Sequence, residues 1–216
     1  MTRWKILERC KSIEWTVKDA HQDDIEMSGF GVSYTVKYGA DENGALTLVH
    51  HPVYPSLRKR PNDTHASYQL DVPENLVPAL YINGKLRRVI INGVLNLYAE
   101  ADGVKITHVC YPSTTLRAAY EYITVENVSG EDITLSVDKT GTVEVDQTRG
   151  VMGICIMELH CTFGSEQILR VGERLSYANV ITGRLANEEA DYAAPEEELN
   201  ARFAQVEKLS SPMKLD

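Results

Sequence analysis

Tight hairpin signals at nearly even spacing decide the fold class of this 216-residue chain. Asn83-Gly84, Asn92-Gly93 and Asp102-Gly103 each supply the glycine that a two-residue turn needs. The segments around them, 80–82, 85–91, 94–101 and 104–111, predict a four-stranded antiparallel meander. Asn43-Gly44 marks another hairpin, from 32–39 into 46–53. Further strands are expected at 118–126, at 133–137 with Ile133, Leu135 and Val137 on one face, around Val143 and Val145, and at 175–185. Residues 151–159 are nearly all apolar, as in a strand covered on both faces. About a dozen strands, with no helical period before residue 190, exceed what one open sheet usually holds. The expected fold is mainly β: a large antiparallel β-sandwich over residues 1–190.

The pattern changes in residues 191–216. Asp191-Tyr-Ala-Ala-Pro195 and the run to Lys208 predict one amphipathic helix. Pro195 suits a first turn, and Glu196, Glu197 and Glu198 sit at the positive end of the helix dipole. Glu198 and Arg202 are an i,i+4 pair in the favourable order. Leu199, Phe203 and Val206 make an apolar stripe that must lie on something. Two readings follow. Either the chain is the front part of a longer protein, ending after an interdomain helix, or the helix packs back on its own sheet. The first reading expects Leu199 and Phe203 to be partly exposed.

Composition excludes some functions. The chain is 43% hydrophobic and 25% charged, which is globular and enough for a sizeable core. Its 31 acidic against 22 basic residues give a net charge of −9, which disfavours nucleic acid and anionic membranes as main partners. No apolar run approaches the roughly 20 residues of a membrane span. The first ten residues, Met1 to Cys10, lack the apolar core of a secretory signal, so a cytoplasmic location is expected. The sequons at Asn62 and Asn127 matter only in a secreted eukaryotic protein. Cys155 and Cys161 fall in one expected strand, roughly 20 Å apart, and Cys10 and Cys110 stand alone. Reduced thiols, with no metal and no cofactor, are the expectation.

Several residues are candidates for chemistry. Asp23, Asp24 and Glu26 are either a general acid or base or the charges of a solvated turn between strands. The segment from Pro52 to Ser67, with three prolines, reads as a long exposed loop. Its Arg58, Arg60, Asn62, Asp63 and His65 either bind sugar hydroxyls, dock a partner domain, or are simply solvated. His50 and His51 are adjacent and must face opposite sides of a strand, so they cannot share a metal. His108 reads as a satisfied core or surface histidine. Tyr34, Tyr38, Tyr54, Tyr81 and Tyr98 form a sugar-stacking platform only if coplanar and exposed; otherwise they are cross-strand packing. No nucleophile elbow, P-loop or dinucleotide fingerprint is present.

The runs Asp24-Ile-Glu-Met-Ser-Gly29, Val32-Ser-Tyr-Thr-Val-Lys-Tyr-Gly39, Tyr54-Pro-Ser-Leu-Arg58 and Pro61-Asn-Asp-Thr-His-Ala-Ser67 resemble the amino-terminal β-domain of bacterial six-hairpin glycosidases. In that group a supersandwich domain precedes a linker helix and a catalytic (α/α)6 toroid. The turn Leu169-Arg-Val-Gly-Glu173 is similar too, but generic. The resemblance implies a non-catalytic domain that buttresses a missing catalytic domain and rims its carbohydrate site, with Asp23–Glu26 and Arg58–His65 on one side facing it. Catalytic carboxylates in that group belong mainly to the toroid, so none is assigned here. Two alternatives stay open: an independent carbohydrate-binding module, and a small sugar mutarotase-like enzyme. The second needs a His acid and a carboxylate base converging in one cleft.

Overall fold

Gly44, Gly93 and Gly103 sit at φ +80°, +91° and +73°, the left-handed region that side chains resist, and each closes a tight turn as expected. The computed structural model describes residues 4–7, 11–63, 65–82 and 84–210. Cys10, Thr64 of the first sequon, Asn83 of the first turn signal and residues 211–216 lie outside the described residues.

Fifteen strands are described. They are β1 (Trp4–Leu7), β2 (Ser12–Thr16), β3 (His21–Ser28), β4 (Ser33–Ala40), β5 (Leu46–Arg58), β6 (Ser67–Gln69), β7 (Lys85–Ile91), β8 (Leu95–Ala101), β9 (Val104–Pro112), β10 (Ala118–Asn127), β11 (Ile133–Leu135), β12 (Gly141–Arg149), β13 (Ile154–Cys161), β14 (Gln167–Leu169) and β15 (Arg174–Leu185). The helix α1 spans Pro195–Ser210. Nine strands form one antiparallel sheet in the order β1-β2-β7-β8-β9-β10-β15-β13-β12, four form a second in the order β3-β4-β5-β6, and β11 pairs with β14.

Strand parity builds the layers. Met27, Tyr34, Val36, Tyr38, Tyr54 and Leu57 of the small sheet pack on Leu86, Leu95, Leu97, Met157 and Ile181 of the large one. Each such aliphatic side chain contributes roughly 1.5–3 kcal/mol when fully buried. Further along the same inner face, the β11–β14 pair closes over Ile106, Ile123, Val125 and Tyr177. The opposite face carries Tyr111, Tyr120, Ala178 and Val180, against which Leu199 of α1 is half-buried. The sandwich expectation holds; α1 follows it, on the outer face.

Three local readings need correction. The meander runs β7-β8-β9-β10, one strand later than read, because Leu80 makes only an isolated bridge to Val137. The segment from Pro52 is strand as far as Arg58, since Tyr54 and Leu57 are buried in the core. Pro55 is tolerated there because the register with β6 shifts between Tyr54 and Arg58, where the ladder needs no N–H. The acidic stretch at 23–26 is itself the edge strand β3, not a turn. In α1, Glu198 and Arg202, read as an i,i+4 pair, are the most buried residues of the helix and reach partners outside it. The Arg202 guanidinium donates to the carbonyls of Ser28 at 2.8 Å and Gly93 at 3.1 Å. Glu198 accepts from the Thr114 N–H at 3.2 Å.

One close approach is testable. A Cβ on Gly183 would stand 2.6 Å from the ring of Tyr54, whose hydroxyl donates to the Ile181 carbonyl at 3.2 Å. Gly183→Ala should cost about 1–3 kcal/mol by displacing that ring, read as a lower urea midpoint. The same change made in Tyr54→Ala should cost far less, a coupling that a double-mutant cycle measures.

Candidate functional site

Side chains directly opposite one another in paired antiparallel strands share a face, and two consecutive rows of the inner face are polar. One row reads Cys110 (β9), Glu121 (β10), Asn179 (β15); the next reads His108, Ile123, Tyr177. From the small sheet, Val36 pairs with His50, and both point down onto these rows. A charged carboxylate at the centre of an apolar layer must be compensated or neutralised.

The compensation is direct. Glu121 is 3% exposed. Its Oε1 accepts from His108 Nδ1 at 2.7 Å and its Oε2 from Asn179 Nδ2 at 2.9 Å. His50 Nε2 stands 3.3 Å from Oε2, near enough for charge attraction but poorly aligned for a hydrogen bond. On its other side, His50 Nδ1 meets the Tyr34 hydroxyl at 2.5 Å. Burial alone would raise the pKa of Glu121. The His108 hydrogen bond and the two imidazoles outweigh it and hold the carboxyl well below the usual range. Burial, with Cys110 and Glu121 adding to it, pushes the Tyr34 hydroxyl far up, so it stays protonated and donates.

Beside this cluster lies a cavity of about 180 Å³. Its lining combines aliphatic side chains, among them Leu46, Leu48, Val77, Leu80, Ile106 and Ile123, with polar groups of His50, Glu74, His108, Glu121 and Tyr177. Residues 74–80, which begin with a 3-10 turn at Glu74–Leu76, form one side. Asp138 pins this segment by accepting from the Ala79 N–H at 2.8 Å and donating its own N–H to the Ala79 carbonyl at 3.1 Å. Among the described residues no group of three or more His, Cys, Asp or Glu side chains is arranged to hold a metal, and no helix is long and apolar enough to cross a membrane.

The residues singled out from the sequence lie elsewhere and do not converge. Asp23, Asp24 and Glu26 are exposed on β3, where Asp23 and Asp24 face opposite sides of the sheet. Glu26 accepts from Ser33 Oγ at 2.5 Å. Through Thr35 it is in register with His51, and Arg58 lies seven residues beyond that, roughly 20 Å along the strand. Arg58 donates to the Asp63 carbonyl at 3.2 Å, Asp63 caps the His65 N–H at 3.0 Å, and Asn62 adopts φ +58°. Arg60, Asn62 and His65 are exposed on this compact turn, beside Val151, whose N–H binds the Arg58 carbonyl. His51 faces outward to Asp71 at 2.6 Å while His50 faces inward, as strand alternation requires. Tyr34, Tyr38 and Tyr54 are buried packing residues, so they form no stacking platform, and Tyr98 lies under the Arg88 guanidinium at 4.1 Å.

Glu121 and Asn179 were missed, yet a signal existed. Ala119, Glu121, Ile123 and Val125 share one face of an otherwise apolar strand, as do Tyr177, Asn179 and Ile181. A lone carboxylate on such a face announces a buried, compensated charge.

No known family matches any stretch of the chain, and no curated protein is detectably similar to it.

Glu121→Gln should destabilise the fold by roughly 3 kcal/mol at pH 7, since it leaves a buried network half-met. The folded pKa of Glu121 is depressed. Its ionisation therefore contributes stability above the unfolded carboxylate value of about 4.3 and loses it as the pH falls toward the folded value. The gap between wild type and Glu121→Gln should then narrow below about pH 4, measured by urea unfolding at several pH values.

Proposed function

We propose that this chain is the non-catalytic β-sandwich domain of a carbohydrate-active enzyme, a glycoside hydrolase, and that α1 and its surroundings dock the domain that carries the catalytic groups. The observation that carries this reading is the orientation of α1. It is anchored through the buried Glu198 and Arg202, with Leu199 and Val206 half-buried beside them, yet Phe203 is 37% and Leu209 77% exposed. Phe30 is 89% exposed beside the anchor, because Ser28 accepts from Arg202 and the Phe30 N–H bonds Thr114, the residue that Glu198 caps. An exposed apolar patch rimmed by polar groups marks an interaction site. The glycosidase class rests on the resemblance of residues 21–67.

The mutarotase-like alternative asked for a His and a carboxylate in one concave site, and His108 and Glu121 meet that geometric demand. The chemistry favours a tie over a proton shuttle. Both Glu121 oxygens are occupied and its carboxyl is held ionised far below the pH at which a general base works best. The aliphatic part of the wall, Leu46, Leu48, Ile106 and Ile123, offers a sugar's ring hydroxyls no partner.

The chain alone should hydrolyse no member of a panel of chromogenic glycosides. In the natural protein, Phe30→Asp and Phe203→Asp should lower the melting temperature or the glycosidase activity, while shifting the isolated chain's melting temperature little. Glycoside turnover by the chain itself, or a natural protein indifferent to both substitutions, would overturn the reading.

A further inference from the structure

We infer that the cavity beside Glu121 is a binding site for a small neutral ligand with an apolar body, about the size of a six-membered ring, and a hydroxyl group at one end. It lies on the inner face of the large sheet, whereas α1 packs on the outer face, and it does not depend on the docking reading.

Size comes first. An aliphatic void of about 150 Å³ accommodates a benzene-sized ring, and this one measures about 180 Å³. Its walls suit an apolar body. Its polar end is unfinished at His50 Nε2, which meets no hydrogen-bond partner, and in two further respects. The Tyr177 hydroxyl belongs to a side chain 3% exposed, lines the cavity and has no hydrogen-bond partner. A buried donor left unmet costs about 1–3 kcal/mol, so the site favours an occupant that meets it. His108 donates its Nδ1–H to Glu121, and in that tautomer Nε2 is an acceptor with no hydrogen bond to a described residue. Both residues are in register with Ile123, on the strands that flank it, so they stand on either side of one cavity-lining position.

A ligand hydroxyl answers both, since its oxygen accepts from Tyr177 and its proton goes to His108 Nε2. Charge narrows the class. The ionised Glu121 beside the cavity repels carboxylates and phosphates. It offers little to an ammonium ion, because His108 and Asn179 already occupy its oxygens, and the other lining carboxylate, Glu74, is exposed and screened by water. A free sugar fails because its remaining hydroxyls would face Leu46, Leu48, Ile106 and Ile123.

The test is calorimetric titration of the folded chain with cyclohexanol, cyclohexanecarboxylate, cyclohexylamine and methyl glucoside. Saturable one-to-one binding of cyclohexanol alone is expected. Tyr177→Phe, which keeps the ring and removes the hydroxyl, should weaken it about tenfold. Val77→Trp, which fills the cavity from the peripheral 3-10 segment, should abolish it. Both variants are checked for an unchanged circular dichroism spectrum, and Tyr177→Phe keeps the test alive if Val77→Trp does not fold. Absence of saturable cyclohexanol binding, binding indifferent to Tyr177→Phe, or tighter binding of the amine, the carboxylate or the glucoside would overturn the proposal.

Discussion

The arrangement of the inner face depends on one buried carboxylate. Glu121 sits where the small sheet meets the large one, in a layer that otherwise admits only apolar groups. It is tolerated because β9, β15 and β5 each deliver a partner, His108, Asn179 and His50. That requirement fixes register. A slip of one residue in β9 or β15 would turn His108 or Asn179 to the opposite face and strand the charge. The same demand fixes how the small sheet lies, since His50 must reach Glu121 while Tyr34 satisfies its other nitrogen. A buried carboxylate whose two oxygens are both hydrogen-bonded specifies one arrangement more sharply than an apolar layer does.

The two faces of the large sheet solve the burial problem in opposite ways. On the inner face, polar groups are gathered at the centre and apolar residues surround them. On the outer face, tyrosine hydroxyls hold the approach to the helix: Tyr111 donates to the Pro195 carbonyl at 2.6 Å and Tyr120 to that of Ala193 at 3.3 Å. The helix then inserts its charged pair and leaves apolar residues outside. Such a helix is positioned by directional bonds together with the half-buried Leu199 and Val206, while Phe203 and Leu209 stay exposed. The cavity follows from the inner arrangement, because β5 and residues 74–80 cover neighbouring parts of one face beside Glu121 without filling the space between them.

Much of the fold was legible because turns and alternation are local. The glycines at 44, 93 and 103, the hairpins that join β7 to β8 and β8 to β9, and β15 needed nothing beyond neighbouring residues. The strand β3 was not legible, since an edge strand with one solvated face carries Gln22, Asp24 and Glu26 as readily as a turn does. Nor was the strand character of Pro52 to Arg58, because prolines read as breakers unless the ladder's irregularity is known. The candidate site was half visible. His50 and His108 drew notice as histidines, but Glu121 was hidden within a tyrosine-rich strand whose inner face becomes clear only once β9 and β15 flank it. The helix boundaries followed from Pro195 and the glutamates; which side it buries depended on the distant carbonyls of Ser28 and Gly93.

The central claim is that Glu121 is an ionised acceptor held by the His108 Nδ1–H and the Asn179 side-chain amide. Long-range nitrogen–proton NMR correlation of the histidine rings at pH 7 reads this directly, since each tautomer has its own nitrogen shifts. The account predicts His108 protonated on Nδ1 toward Glu121, with Nε2 bare, and His50 protonated on Nε2, with Nδ1 accepting from Tyr34. A His108 that carries its proton on Nε2 would leave two acceptors facing each other at Glu121 Oε1, and would contradict the account.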